Sequence, residues 1–376
     1  MIYLDNAATT LIKPAAVTRA MQYALTSMSS PGRGGYDTSA RAERTLFQCR
    51  ELAAELFDMD SPERVVFTFN ATHALNIAIK SMVRPGDSVL ISGYEHNAVT
   101  RPLNSIENVD IRVFEADLFD WDALLDDFRR KIESKPSVVI CTQVSNVFGY
   151  ILPIDEIAEL CHANEIPLIV DASQSAGCLP VRMKGWNAAF IAMPGHKGLY
   201  APQGTGLLLC GRAVRPLMEG GTGSESKLQQ MPEFLPDRLE AGTHNVPGIA
   251  GLLEGLRYVT RVGIDFIRMK EAFLLERLVY KLKRNDRVKL YAAMENNAVQ
   301  SGVLSFTVKD RDCHWVAEQL AHRGIAVRAG LHCAPLAHRT ADTIETGTVR
   351  ASVSAMTLPN EIDRFVTELN KICLIK

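Results

Sequence analysis

Cys333 is the most conspicuous residue with catalytic potential in this sequence. It lies in VRAGLHCAPLAH, residues 327–338, between His332 and His338 and after Arg328. The reactive form of cysteine is the thiolate, which a polar loop and neighbouring His332 and Arg328 would favour. Cysteine is more often buried packing, and we expect that role for the others among the 8 cysteines.

Two further reactive residues follow apolar runs that predict strands. In FIAMPGHKG, residues 190–198, a strand would deliver His196 and Lys197 into a glycine-rich turn. Most lysines are solvated surface charges, but a lysine held at a strand end can lose its proton and form a Schiff base with an aldehyde. In PLIVDASQ, residues 167–174, Asp171 ends a strand and Gln174 follows it. Asp171 could be a structural cap, or it could pair with a protonated ring nitrogen.

A possible anion site is the third pattern. VVFTFNATHALNIAI, residues 65–79, predicts a strand, a turn and a helix whose first amides could hold an anion. Taken alone, the same turn is more simply an ordinary helix N-cap. A reactive lysine, a carboxylate and an anion site together match what pyridoxal 5'-phosphate needs from a protein.

The elements that must position these residues alternate along the chain. Apolar and β-branched runs predict strands at VVFTF, SVLIS, IRVFEA, SVVICTQ, PLIVDAS, AAFIAM and GLLLC. Segments such as WDALLDDFRRKI, with apolar residues at helical spacing, lie between several of them. This order predicts an α/β fold with a mostly parallel sheet, in which ligands bind at the carboxyl ends of the strands.

Two domains are predicted. A Gly- and Pro-rich region, residues 218–247, is irregular and therefore a candidate functional loop. A long helical pattern follows at 248–284, and then a smaller unit of strands and helices. We expect a large domain over residues 15–260, and a small domain formed by residues 1–14 and 261–376 that carries the cysteine loop.

Composition narrows the class of partner. The chain has 376 residues with 41 basic and 43 acidic side chains and a formal net charge of −2. There is no basic stripe, so we expect no nucleic acid and no membrane partner, but small molecules or proteins. The scattered cysteines form no CxxC pair, which argues against a metal site and favours reduced thiols. With no signal peptide pattern and no apolar span, the expected location is cytoplasmic.

The ordered motifs resemble the class V aminotransferase family of pyridoxal phosphate enzymes, within it the cysteine desulfurase and selenocysteine lyase group. The resemblance runs from YLDNAAT at 3–9 to VRASVSAMT at 349–357. It implies the fold type I of pyridoxal phosphate-dependent transferases, which is aspartate aminotransferase-like. That fold has a large domain with a mostly parallel seven-stranded sheet and a smaller α+β C-terminal domain.

Roles for individual residues follow from the resemblance. Lys197 is similar to the Schiff-base lysine, Asp171 to the partner of the pyridine nitrogen, and His96 to the histidine on the ring, which can also move protons. The remaining assignments are Asn146 and Gln174 beside the ring hydroxyl; Ala71, Thr72 and His196 at the phosphate; Thr243 reaching the phosphate from a second subunit; Arg350 with Arg328 and Asn146 for the substrate; and Cys333 as sulfur acceptor. The assignment of Thr243 implies a homodimer.

The sequence also departs from the family pattern. Pro194 stands where the family often has a phosphate-binding serine, and Ala71 stands in place of the first of two threonines in the phosphate turn. Leu331 replaces a histidine found in many desulfurases of the related group. The first two changes bear on the phosphate contacts, and the third bears on the choice of substrate.

The activity implied by the resemblance is removal of sulfur from L-cysteine, giving L-alanine and a persulfide on Cys333 that passes to an acceptor protein. L-Selenocysteine is a second candidate substrate. The alternatives are a selenocysteine lyase, or another aminotransferase or lyase of the family in which Cys333 has no role. A protein of another class, a non-catalytic sulfur relay or scaffold, is also compatible with the sequence.

Overall fold

The computed structural model describes residues 1–32, 34–294 and 296–375. The strands are β1 (Ile2–Tyr3), β2 (Val65–Thr68), β3 (Ser88–Ser92), β4 (Asp110–Phe114), β5 (Val138–Thr142), β6 (Leu168–Asp171), β7 (Phe190–Pro194), β8 (Gly206–Cys210), β9 (Val288–Tyr291), β10 (Val303–Val308), β11 (Ile325–Ala326), β12 (Arg328–Gly330) and β13 (Thr348–Ser352).

The helices are α1 (Ala15–Ser27), α2 (Asp37–Leu56), α3 (Ala71–Met82), α4 (Asn97–Asn104), α5 (Trp121–Ile132), α6 (Ile154–Ala163), α7 (Val246–Val262), α8 (Ile264–Leu282), α9 (Cys313–Ala321), α10 (Pro335–Thr340) and α11 (Pro359–Cys373). Across the described ranges, none of these helices has the length and apolar character required to cross a lipid bilayer.

A seven-stranded sheet forms the centre, with the order β2-β8-β7-β6-β5-β3-β4. Strands β4, β3, β5, β6 and β7 run parallel, and β8 is antiparallel to both β7 and β2. The α/β prediction with a mostly parallel sheet is therefore confirmed, as are all seven predicted strands. Since β2 runs in the same direction as β7, the carboxyl ends of β2, β3, β5, β6 and β7 share one edge.

Except at the edge strand β4, both faces of this sheet are buried, which explains the continuous apolar runs of its other strands. In β5, Val139 and Cys141 face one hydrophobic core, whereas Val138 and Ile140 face another. This alternation follows from the two-residue period of a β-strand. The helices on the two faces thereby fix the strand ends that carry the site.

The C-terminal part has its own core and a four-stranded antiparallel sheet, β12-β13-β10-β9. The amino-terminal strand β1 joins this part by pairing with β11. The single helical pattern predicted over 248–284 is wrong in one respect, because Gly263, at φ 86°, separates α7 from α8. A positive φ favours glycine, and glycine is the usual residue at such a helix end. We propose that the boundary between the two domains lies near this break.

Candidate functional site

A cavity of about 340 Å³ opens where the carboxyl ends of the parallel strands meet the C-terminal part. This volume lies within the usual range for small-molecule sites. All but one of the predicted site residues line it: Ala71, Thr72, His96, Asn146, Asp171, Gln174, His196, Lys197, Arg328, Cys333 and Arg350. The exception is Thr243.

Lys197 reaches the cavity from the turn after β7. Its main-chain carbonyl accepts hydrogen bonds from Thr10 Oγ1 (3.2 Å) and from the amide of Tyr200 (2.9 Å). Gly198 allows this turn to pack, because a Cβ there would lie 2.3 Å from the carbonyl oxygen of Ala176. Loss of hydration lowers the pKa of the Lys197 amine to about 8, against the opposing effect of Asp171. Such a lysine can exchange protons near neutral pH.

Asp171 is the last residue of β6 and is buried beside the cavity. Its Oδ1 accepts hydrogen bonds from the amide of Ser173, at 2.9 Å, and from the Ser173 hydroxyl. These bonds fix the carboxylate at the strand end. A buried carboxylate requires a partner of positive charge, which a protonated ring nitrogen in the cavity would supply.

His96 is the N-cap residue of α4 and forms part of the cavity wall. Its Nδ1 accepts a 2.9 Å hydrogen bond from the amide of Ala98, so the neutral ring carries its proton on Nε2. Burial lowers the pKa of His96 to about 4, and the positive charge of Lys197 adds to this effect. The ring is therefore neutral at pH 7 and suited to lie flat against an aromatic ligand.

The predicted phosphate end lies at the start of α3. Asn70 caps this helix by accepting a 2.9 Å hydrogen bond from the amide of His73, as the N-cap interpretation predicts. The first amides of a helix have no partner within it and favour an anion. His196 contributes a buried Nδ1 that has no hydrogen-bond partner in the described part of the chain. Pro194, in place of serine, brings no hydroxyl to this wall.

Asn146 and Gln174 each connect the cavity wall to another segment. Asn146 Nδ2 donates to the carbonyl oxygen of His332 at 2.8 Å, and Gln174 Nε2 donates to that of Ala7 at 3.0 Å. Both side chains are thereby held in place before any ligand binds. Ala7 belongs to the YLDNAAT segment, whose contribution to the wall the sequence reasoning did not assign.

The two arginines lie side by side on the small sheet. Arg350 in β13 pairs in register with Arg328 in β12. Arg350 Nη1 donates a 2.8 Å hydrogen bond to the carbonyl oxygen of Asn146, and both arginines contact Asp5. Sequence reasoning missed Asp5. The signal that could have indicated Asp5 was its place in the YLDNAAT motif, but its partners Arg328 and Arg350 lie more than 300 positions away in the sequence.

Cys333 is exposed, whereas the seven other cysteines are buried. Burial raises the pKa of Cys49 and of Cys161 to about 12, so these thiols stay protonated and inert. In its exposure Cys333 differs from these cysteines. Burial lowers the pKa of His332 to about 2, so this ring is uncharged and brings no positive charge to the loop. That the loop favours the thiolate stays a prediction.

Thr243 lies apart, on the exposed turn before α7. It lines a separate cavity of about 50 Å³ together with Glu240 and His244. The buried Glu240 carboxylate binds Arg50 and accepts from the amide of Phe67 (2.6 Å), and it pairs with His244 Nε2 (2.6 Å). This network fixes both ends of the turn that exposes Thr243.

No metal site is evident: across the described ranges, no group of three or more His, Cys, Asp and Glu side chains could hold an ion. The site's polar groups instead suit an organic ligand with an anionic end and an aldehyde. That ligand would meet the helix start at one end and Lys197 at the other.

Comparison with known proteins finds relatives that are named cysteine desulfurase or probable cysteine desulfurase. The chain is 35% identical to a probable cysteine desulfurase of Methanothermobacter thermautotrophicus, covering 99% of this chain and 94% of the relative. It is 32% identical to a cysteine desulfurase of Dickeya dadantii, covering 99% and 92%. The apo structure of a cysteine desulfurase from Thermococcus onnurineus superposes with a TM-score of 0.89 at 29% identity, covering 99% of this chain and 94% of that chain.

The fold type I assignment, with its large parallel sheet and smaller C-terminal unit, is confirmed by this structural likeness. The family model for aminotransferase class-V matches residues 2–365, which include every residue of the cavity wall. The chain therefore belongs to the class V aminotransferase family.

Proposed function

We propose that this chain is a pyridoxal phosphate-dependent cysteine desulfurase, which converts L-cysteine to L-alanine and holds the sulfur as a persulfide on Cys333. One observation carries the proposal: Lys197, Asp171, Arg350 and an exposed cysteine line the same cavity. The curated relatives named cysteine desulfurase support it over nearly the whole chain.

The residues of the cavity fit the cofactor by their chemistry. Lys197, with its lowered pKa, is suited to bond the aldehyde, and Asp171 is suited to keep the pyridine nitrogen protonated. The unpartnered Nδ1 of His196 and the amides at Ala71 and Thr72 suit the phosphate. When bound, the cofactor supplies an electron sink for a carbanion at the substrate α-carbon.

The neutral side chains of the wall would orient the ring. His96 would lie against its face, and Asn146 and Gln174 would lie beside its hydroxyl. Their existing hydrogen bonds support this role, because pre-oriented groups need no rearrangement when the ligand binds. Thr243 would complete the phosphate site of a second copy, and we therefore propose a homodimer.

The chain's own residues would carry the chemistry of the substrate. Arg350, with Arg328 and Asn146, would bind its carboxylate, and Lys197 Nζ would take the α-proton. Cys333 Sγ would then attack the substrate sulfur. An S–S bond forms as the Cβ–S bond breaks, and its electron pair stays with Cβ. Protonation of Cβ and return of a proton from Lys197 to the α-carbon then yield alanine.

The exposure of Cys333 supports onward transfer, because a persulfide there is accessible to an acceptor protein. A thiol or persulfide at a loop is a suitable donor for exchange with a second protein thiol. We further propose a cytoplasmic location, which suits a chain whose eight cysteines are all free.

Product analysis tests the function. Purified chain would be incubated with L-cysteine or L-selenocysteine, and alanine would be measured together with sulfide or selenide. We expect alanine from L-cysteine and a mass increase of one sulfur atom on Cys333. Alanine from L-selenocysteine alone would identify a selenocysteine lyase. A transamination product would identify an aminotransferase, and absence of a cofactor absorbance band would favour the relay or scaffold class.

A further inference from the structure

Asp5 places its carboxylate between the two arginines of the cavity wall. Its Oδ1 lies 2.9 Å from Arg350 Nη2, and its Oδ2 lies 3.1 Å from Arg328 Nε. The Asp5 side chain is only 12% exposed, and the cavity is lined by the arginines in front of it. Asp5 thus acts on the site through Arg328 and Arg350.

The main chain holds this carboxylate in position. Asp5 forms an isolated parallel bridge with Ser352, two residues beyond Arg350. Asn6 Nδ2 donates to the Ser352 carbonyl at 2.9 Å, and the amide of Ala7 donates to Ser352 Oγ at 2.8 Å. The amino-terminal segment is therefore fixed along β13, and Asp5 has little freedom to move away from its partners.

Electrostatics explain why a carboxylate is needed there. Arg328 and Arg350 stand directly opposite each other on β12 and β13, and like charges in that arrangement repel. The Arg350 side chain is only 3% exposed, so water cannot offset its charge. Asp5 reduces the combined charge of the pair from two positive units to one.

The one net positive charge that remains on Arg328, Arg350 and Asp5 together balances the negative charge of one substrate carboxylate. Arg350 Nε is buried without a partner in the described ranges and is available for hydrogen bonding. Arg328 lies on the strand that leads to Cys333 and lines the same cavity, and its Nε is bound to Asp5. A substrate with a second acid group on its side chain would have to compete with Asp5 for Arg328.

We propose that Asp5 is a specificity-determining positioning residue that restricts the site to amino acids with a single acid group. The inference rests on the proposed function, in which Arg350 binds the substrate carboxylate. Asp5 sets the charge and the orientation of the arginines, and the arginines alone contact the ligand.

The test is the binding of two amino acids to cofactor-loaded protein by titration calorimetry. L-Alanine has one acid group, and L-cysteate has a sulfonate in place of the thiol as a second one. For wild type we expect tighter binding of L-alanine. In Asp5→Asn we expect the ratio of the two dissociation constants to shift towards L-cysteate by roughly tenfold, since one negative charge within a few ångströms is removed.

A double variant separates charge from structure. Asp5→Asn combined with Arg328→Met has the same net charge as wild type, and we expect its ratio to return close to the wild-type value. Arg328→Met alone retains Asp5 and is expected to shift the ratio against L-cysteate, which provides a test if Asp5→Asn does not fold.

Two results would overturn the inference. An unchanged ratio in Asp5→Asn, or a double variant that stays shifted, would show that Asp5 has only a structural role. The variant Arg350→Lys distinguishes a purely structural role of Asp5 from failure of the proposed function. If that variant bound both amino acids as tightly as wild type, the carboxylate site itself would be wrong, and the role of Asp5 would fall with it.

Discussion

Asn146 Nδ2 donates a 2.8 Å hydrogen bond to the carbonyl oxygen of His332, the residue before Cys333. The amide of Asn97 donates to the carbonyl oxygen of Cys333 itself, also at 2.8 Å. His332 and Cys333 both adopt positive φ, 49° and 57°. The segment after β5 and the start of α4 therefore hold the turn in a conformation that non-glycine residues seldom adopt. The thiol owes its place at the cavity to these contacts.

Replacing this thiol tests its role directly. We expect Cys333→Ala to retain cofactor and to bind L-cysteine, because Lys197, Asp171 and Arg350 are unchanged, but to lose at least about 100-fold in alanine formation from L-cysteine. The loss with L-selenocysteine is expected to be smaller, since the carbon–selenium bond is weaker. Rates with both amino acids under saturating cofactor provide the measurement.

Cys161→Ala is the matched control, because Cys161 is buried on α6 and its thiol stays protonated. It is expected to form alanine at the wild-type rate. If Cys333→Ala and wild type had equal rates with L-cysteine, Cys333 would not be the sulfur acceptor, and a lyase or aminotransferase activity would be the better assignment.

The strands and the residues at their ends could be predicted from sequence. Asp171 and Lys197 follow uniformly apolar runs, and parallel strands bring such ends to one edge. The role of Asp5 could not be predicted in this way, because β1 pairs with β11 and the next residues pack along β13. Nothing in the local pattern specifies a contact across more than 300 positions.

The charge state of His332 likewise could not be predicted from the residues next to it in the sequence. Its place next to Cys333 suggested a positive charge, but the folded chain buries the ring against His338, with ring centroids 5.8 Å apart. Desolvation then lowers the pKa of His332 to about 2. Burial is a property of the tertiary structure, so neighbours in sequence were a poor guide.

Lys197 is predicted to destabilise the cofactor-free protein in a pH-dependent way. Its pKa in the folded protein, about 8, is below the usual lysine value, so the unfolded chain binds more protons than the folded chain between pH 8 and pH 10.5. The buried charge destabilises the folded protein fully below pH 8, and this destabilisation disappears as the pH rises through that window. We expect Lys197→Met to raise the free energy of unfolding by about 2 kcal/mol at pH 7.

Urea unfolding of both cofactor-free proteins at pH 7 and pH 10.5 measures this difference. The stabilisation by Lys197→Met is expected to be much smaller at pH 10.5. Lys184→Met is the control, because Lys184 is an exposed lysine that pairs with Asp60 at the surface. A constant difference between Lys197→Met and wild type at the two pH values would show that the Lys197 pKa is not lowered.

Shared sites between two copies of the chain can be tested with Thr243. Thr243→Ala is expected to speed cofactor dissociation several-fold, since one phosphate hydrogen bond is worth about 1 kcal/mol. A mixed dimer gives the sharper result. When Thr243→Ala and Lys197→Ala chains are combined, one of the two sites contains the intact Lys197 of one chain and the intact Thr243 of the other.

We expect the Lys197-containing site of this mixed dimer to release its cofactor at the slow wild-type rate, although the Thr243→Ala parent releases it several-fold faster. Mixing two separately purified variants, exchanging subunits and measuring cofactor release from that site would provide the value. If the cofactor left this site as fast as it leaves the Thr243→Ala parent, Thr243 would act within its own chain. A fully active monomer in sedimentation would also contradict shared sites.

The turn that carries Thr243 depends on the buried ion pair of Glu240 with Arg50, whose side chains are 4% and 8% exposed. Glu240→Gln leaves the Arg50 charge buried without a carboxylate, so we expect the free energy of unfolding to fall by about 3 kcal/mol at pH 7. Asp37→Asn is the control. It removes the partner of Arg41 in an exposed pair and should change stability by less than about 0.5 kcal/mol.

The pH dependence of that loss has a definite sign. Burial alone would raise the pKa of Glu240, but Arg50 and His244 lower it below the usual glutamate value. The stabilising contribution is therefore present above the unfolded-state pKa and is lost as pH falls through the lower, folded-state pKa. Unfolding of wild type and Glu240→Gln from pH 7 downwards should show the difference narrowing in acid. A difference that stayed constant, or a loss no larger than that of Asp37→Asn, would show that this carboxylate does not hold the turn through its charge.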